Sequence, residues 1–170
     1  MDLKTFLIGQ LKGIYSERIA AAARAESEAG TVADQVRAES RRKEDAKEAA
    51  LQGRLQTGHR KRRLRAVSEM EKLLVFAEAG VRRFKSSDRV DVGALVDVRI
   101  EDEKGEEERT LFFLPVGAGV ELTGPGGDGF VTVVTPNSPV GKSLMRSRCE
   151  DAFEIVVDGR DREWTVLDVS

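Results

Sequence analysis

Residues 134–145 read Val134-Thr135-Pro136-Asn137-Ser138-Pro139-Val140-Gly141-Lys142-Ser143-Leu144-Met145. The run Phe130-Val131-Thr132-Val133-Val134 just before it is β-branched and aromatic, and it predicts a strand over 130–134. Ser138 has the hydroxyl of a helix N-cap, and Pro139 suits the first helical position, where its missing N–H costs nothing. A short helix is therefore predicted over 138–146.

Working outward, residues 95–100 (Leu-Val-Asp-Val-Arg-Ile) alternate apolar and charged side chains, the two-residue period of a half-buried strand. A Glu/Lys/Gly turn is expected over 101–108, then a strand over 110–114. Gly124-Pro125-Gly126-Gly127 is a strong turn signal. The last two strands are expected at 152–157 and 164–169, joined by Asp158-Gly159-Arg160-Asp161 as a hairpin turn. Five strands around one short helix predict an α+β domain, an antiparallel sheet packed on that helix.

The rest of the chain differs in composition. Its 170 residues hold 28 Lys/Arg and 30 Asp/Glu, a net charge of −2. That total hides a split, because residues 1–87 carry +7 and residues 88–170 carry −9. All four prolines lie in the second half, and residues 16–75 contain neither proline nor an aromatic residue. That stretch is rich in Ala, Glu, Lys, Arg, Leu and Gln, all good helix formers. The boundary falls near Lys85-Ser86-Ser87-Asp88, which gives a helical region over 1–85 and a sheet domain over 86–170. The 40% hydrophobic and 34% charged fractions fit a folded soluble chain. No apolar run is long enough to span a membrane, and the N-terminus has no signal-peptide pattern, so a cytoplasmic protein is expected. One cysteine, Cys149, and one histidine, His59, exclude an internal disulfide and are too few for a Cys/His zinc site.

Within 1–85, Leu7, Leu11, Ile14, Ala21, Ala25, Ala29, Val32 and Val36 recur at helical spacing. Returning, Ala46, Ala49, Ala50 and Gly53 lead into Leu64, Val67, Met70 and Leu74. Large side chains at both ends and small ones in the middle predict an antiparallel helical hairpin that thins toward its turn. Its midpoint falls near residue 42, within the apolar-free run Glu39-Ser40-Arg41-Arg42-Lys43-Glu44-Asp45. Ser40 and Asp45 are the candidate caps of the second helix. Gly30-Thr31 is a second candidate turn, with Glu28 and Asp34 as its acids, but the apolar stripe continues through it.

The quoted segment resembles the Ser-Pro-(Ile/Val)-Gly-(Lys/Arg)-x-Leu motif of the Gre transcript-cleavage factors, the GreA/GreB family. Residues 93–100 and 107–114 are similar to that family's first two strands, and an N-terminal coiled coil completes the likeness. The resemblance implies an FKBP-like C-terminal domain that docks on RNA polymerase at the rim of its secondary channel. Ser138, Pro139, Val140, Gly141, Lys142 and Leu144 would be docking residues, together with the loop over 115–119. It also implies a coiled coil that enters the channel, where acidic tip residues help the polymerase hold Mg²⁺ for hydrolysis of backtracked RNA. No cofactor is expected on the factor alone, and a monomer is expected.

Lys43-Glu44-Asp45-Ala46 resembles the family's Lys-Glu-Asn-Ala tip, which makes Glu44 and Asp45 the candidate catalytic and metal-binding acids. The family's other key acid, three residues before Glu44, corresponds to Arg41, and the acid three residues after it corresponds to Lys47. An arginine repels Mg²⁺, so a channel-binding regulator without cleavage activity is the alternative. A coiled-coil adaptor unrelated to transcription is the more distant one. The basic run His59-Arg60-Lys61-Arg62-Arg63-Leu64-Arg65 reads either as a solvated helix face or as a phosphate-attracting patch. In the family such a face resembles a guide for the RNA 3′ end, which assigns indirect RNA contact to Arg60, Lys61 and Arg63.

Other chemistries fail on spacing. Gly141-Lys142-Ser143 ends like a phosphate loop, but Pro136 stands where that motif needs its first glycine. Ser138 and Cys149 have no nearby histidine to activate them. Nine aromatic residues in the whole chain are few for a prolyl-isomerase pocket. Trp164, Phe130, Phe112 and Phe153 are expected in the sheet core.

Overall fold

A computed structural model describes residues 2–39, 43–127, 129–157 and 159–170, with the backbone alone for Lys43, Glu44, Asp45 and Val157. The described residues form α1 (Leu3–Glu39), α2 (Lys43–Glu78), β1 (Leu95–Asp102), β2 (Gly105–Phe113), β3 (Glu121–Thr123), β4 (Phe130–Val134), α3 (Pro139–Leu144), β5 (Ala152–Val157) and β6 (Arg160–Val169). The expected α+β class, a helical pair followed by a sheet on a short helix, is what the chain adopts. It divides into two compact units, Lys12–Glu71 and Met1–Leu11 with Lys72–Ser170.

The unit Lys12–Glu71 is an antiparallel helix pair. Glu26 meets Arg63, Gly30 meets Gln56 and Arg37 approaches Gly53, so partner numbers fall as residue numbers rise. α1 ends at Glu39 and α2 begins at Lys43, which leaves Gly30 inside a helix, and the turn expected near residue 42 lies outside the described residues. The cap expected of Ser40 lies outside the described residues, as does Arg41.

The buried seam follows the expected stripe at Ala29 and Ala49 and departs from it elsewhere, with Tyr15 taking the place of Ile14 and Ala33 that of Val32. Tyr15, Ala29, Ala33, Ala49 and Ala66 are buried, while Val32 is 38% exposed and Leu64 50% exposed. A seam of alanines lets the two backbones approach closely and removes little apolar area from water. The larger neighbours, Val32 and Leu64, therefore gain little by facing inward. Gly30 fits this spacing, because a Cβ there would lie 2.6 Å from Gln56 Nε2. At the wide end of this unit, Tyr15 is fully buried with no hydrogen-bond partner for its hydroxyl among the described residues. Burial pushes its pKa up, and the Glu69 carboxylate acts in the same direction.

The other unit holds a six-stranded sheet in the order β3-β4-β2-β1-β6-β5. Neighbours are antiparallel, except that β2 and β4 run parallel, with Thr110 beside Val131 and Phe113 beside Val134. The crossover over residues 114–129 makes this possible and adds β3, a three-residue strand that alternation did not reveal. β1 and β2 also extend into the expected turn, which shortens to Glu103-Lys104.

Alternation sets the two faces of the sheet. Val96, Val98, Ile100, Leu111, Phe113, Ile155, Trp164 and Val166 point to one side, and Leu144 of α3 joins them in a single core. Phe84, Val90 and Ala94 of the connecting segment complete it. Phe112 is fully buried, whereas Phe130, at the start of β4, is 69% exposed and so not part of the core. A core position expected for Phe130 fails although it shares a face with the core residue Val134, because Phe130 stands at the outer end of β4, before the pairing with β2 begins at Val131.

The first residues of α1 belong to this unit. Leu7 and Leu11 are fully buried, and Leu11 reaches Gly117, where a Cβ would meet it at 3.1 Å. Gln10 donates from Nε2 to the Thr123 carbonyl at 2.6 Å, and its Oε1 accepts from the Thr123 N–H at 3.1 Å. Lys4 donates to the Arg82 carbonyl and lies 4.9 Å from the Phe84 ring centre. Burial pushes the Lys4 ammonium pKa down.

Candidate functional site

The segment from Ser138 to Leu144 is built as its sequence predicts. Ser138 is extended (φ −71°, ψ 154°), and its Oγ accepts from the Gly141 N–H at 3.1 Å. The same hydroxyl donates to the Thr135 carbonyl at 2.8 Å, which ties the helix start to the end of β4. Gly141 is buried so tightly that a Cβ would lie 1.9 Å from the Thr135 carbonyl oxygen. That glycine is therefore a packing requirement and not a phosphate-loop element.

This packing separates the six docking candidates. Pro139 and Lys142 are exposed, and Ser138 and Val140 are half-buried. Gly141 and Leu144 are buried and position the others, Leu144 within the sheet core. In the loop over 115–119, Ala118 and Gly119 are exposed and Val116 is buried. The helix stops at Leu144, two residues short of expectation. Arg146 and Glu150 then take the left-handed backbone at φ 68° and φ 72°, a feature with no local sequence signal because neither is a glycine.

On α2 the basic candidates differ in what they do. Arg60 and Lys61 are exposed. Arg63 reaches across to α1 and pairs with Glu26 at 2.7 Å. The guanidinium hydrogen bond holds the Glu26 carboxyl below its ordinary pKa and raises that of Arg63. His59 is half-buried. Glu44 and Asp45 lie in the first turn of α2, but their side chains are outside the described residues. Lys47 and Glu48, one turn further on, are exposed. Positions 44 and 48 are four residues apart, so they share a helix face, while 44 and 45 are about 100° apart around the axis.

Among the described residues no three His, Cys, Asp or Glu side chains gather to hold a metal ion. No helix among them is long and apolar enough to cross a membrane.

Residues 85–170 match the family model described as transcription elongation factor, GreA/GreB, C-terminal. Among solved structures, the chain is similar to GreA factor homolog 1 (Gfh1) of Thermus thermophilus, at 17% identity over 94% of each chain and a TM-score of 0.38. It is similar to Thermus aquaticus Gfh1 at 14% identity over 92% of each chain, with a TM-score of 0.35. It is also similar to a GreA/GreB factor of Nitrosomonas europaea, at 20% identity over 49% of this chain and 61% of that one, with a TM-score of 0.34. No curated protein matches the chain. The family model covers the whole sheet, α3 and the capped Ser138 segment, and on that match the chain belongs to the GreA/GreB family of transcription elongation factors.

Proposed function

We propose that this chain is an accessory factor of bacterial RNA polymerase that enters the secondary channel with its helical pair and modulates elongation. The observation that carries this reading is the family match over residues 85–170, in a chain whose preceding residues form two antiparallel helices of 37 and 36 residues. At 1.5 Å per residue each helix is about 55 Å long, a suitable length for a probe. The alanine seam keeps the pair slender, as entry into a narrow channel requires.

Two readings of the tip follow from the sequence. In the first, Glu44 and Asp45 lend carboxylates to a Mg²⁺ ion held mainly by the polymerase, and backtracked RNA is cleaved faster. Such an ion stabilises charge on the attacking and leaving oxygens of the phosphodiester. A carboxylate from the factor would neutralise part of the ion's charge and fix its position. In the second, the tip occupies the channel without aiding cleavage. The run Arg41-Arg42-Lys43, with Lys47 beyond it, favours this second reading, since four cations around two acids repel a divalent ion.

The test is a pair of assays with core RNA polymerase. Retention of the chain on immobilised polymerase supports the binding reading, and no retention defeats it. In backtracked complexes, cleavage at the polymerase-only rate assigns the chain to the non-cleaving reading. Acceleration that is lost in the double variant Glu44→Ala/Asp45→Ala assigns it to the first.

A further inference from the structure

The loop after α3 departs from the rest of its domain in charge and in backbone. Residues 88–170 carry −9, yet residues 131–149 contain Lys142, Arg146 and Arg148 and no carboxylate. All three cations are exposed. The Arg146 N–H donates to the Val90 carbonyl at 2.9 Å, and the Val90 N–H donates to the Ser147 carbonyl at 2.8 Å. That bridge brings exposed Arg89 alongside Arg146–Arg148. None of these four side chains forms an ion pair with a described residue.

Three nearby carboxylates are already engaged, while Glu150 stands exposed two residues from Arg148. Asp151 accepts from the Arg148 backbone N–H at 2.7 Å, Asp91 accepts from the Val92 N–H at 2.7 Å, and Asp88 pairs with Arg82 at 3.2 Å. Arg146 also occupies a left-handed conformation (φ 68°) that glycine adopts without strain. An arginine held there at a conformational cost, exposed and in no ion pair with a described residue, points to a use outside the chain.

We infer that Arg146 and Arg148, flanked by Arg89 and Lys142, form a cationic docking patch for an acidic surface on the protein partner of this domain. The inference rests on the polymerase-binding reading above and names the charge of the polymerase surface met by the α3 edge. A protein with discrete carboxylates suits the patch better than a nucleic acid. Exposed Glu150 sits within it, and the −9 domain repels a continuous polyanion.

The test compares the full-length wild type with Arg146→Glu/Arg148→Glu and with Arg146→Gly for binding to core RNA polymerase across a salt series. The charge reversal weakens binding about 30-fold at low salt and flattens the salt dependence. Arg146→Gly melts at a higher temperature than the wild type but binds about fivefold more weakly, which a merely structural arginine would not do. Variants that bind within twofold of a binding wild type overturn the inference and leave the polymerase reading standing. A wild type that does not bind overturns that reading itself. Loss of affinity for single-stranded RNA, with polymerase affinity kept, also overturns the inference.

Discussion

The two units are held together by different means. In the sheet unit, Phe112, Phe113 and Val98 of the strands and Leu144 of α3 are fully buried. In the helix pair, the seam away from Tyr15 consists of Ala29, Gly30, Ala33 and Ala49, and Leu51 and Leu55 stand largely in water. Burial stabilises at about 25 cal/mol per Å², so the sheet holds most of the apolar stabilisation and the distal helices hold little. Substitutions in the sheet should therefore act on folding, while substitutions along the helices can change surface chemistry at small cost.

Substitutions test this contrast. The largest effect is expected from Phe112→Ala, which should lower unfolding free energy by about 3–5 kcal/mol in a urea titration. A loss under 1 kcal/mol would mean that the sheet is not the stability reservoir. Next are two glycine substitutions with opposite signs. Gly141→Ala drives a Cβ into the Thr135 carbonyl oxygen, a backbone atom, and should cost about 1–3 kcal/mol or more. Gly30→Ala meets only the end of the Gln56 side chain, which can swing aside, and should stabilise by up to about 1 kcal/mol through helix propensity. Equal melting shifts of the same sign for the two would erase the distinction between the units. Ser138→Ala removes the cap on α3 and should cost about 1 kcal/mol.

The smallest effect concerns pH. The Glu26 carboxyl titrates lower in the folded chain than its ordinary value of 4.5, because Arg63 bonds the charged form. Its contribution is present above that value and is lost as pH falls through the lowered folded pKa. Wild type and Glu26→Gln should thus differ in melting temperature at neutral pH and converge in acid. A difference that persists in acid would assign the stabilisation to packing rather than to charge.

The sequence disclosed these elements unevenly, for physical reasons. The cap at Ser138 and the strands at 130–134 and 152–157 are legible because they depend on neighbouring residues alone. The helical pair is legible from composition, and the inner ends of its helices, Glu39 and Lys43, from the midpoint of the size gradient. The buried seam is less so, because alanine and glycine give a weak periodic signal, and Val32 and Leu64 mislead by their size. β3 and the parallel pairing of β2 with β4 depend on where a long crossover returns, which no local pattern states. In the site, Arg63 reads as a surface cation until its partner 37 residues away is known. Arg146 carries no mark of its backbone in the sequence, since only glycine advertises a left-handed position.

Gln10 has one more consequence. A sheet edge offers unpaired amides and carbonyls that a foreign chain can extend. At Thr123 both groups are already taken by a single side-chain amide, which imitates the neighbouring strand that β3 lacks. A helix thereby supplies one residue's worth of counterfeit sheet, and any chain seeking to polymerise onto β3 must first displace it. Protection against aggregation on that side is thus encoded 113 residues away from the strand it protects.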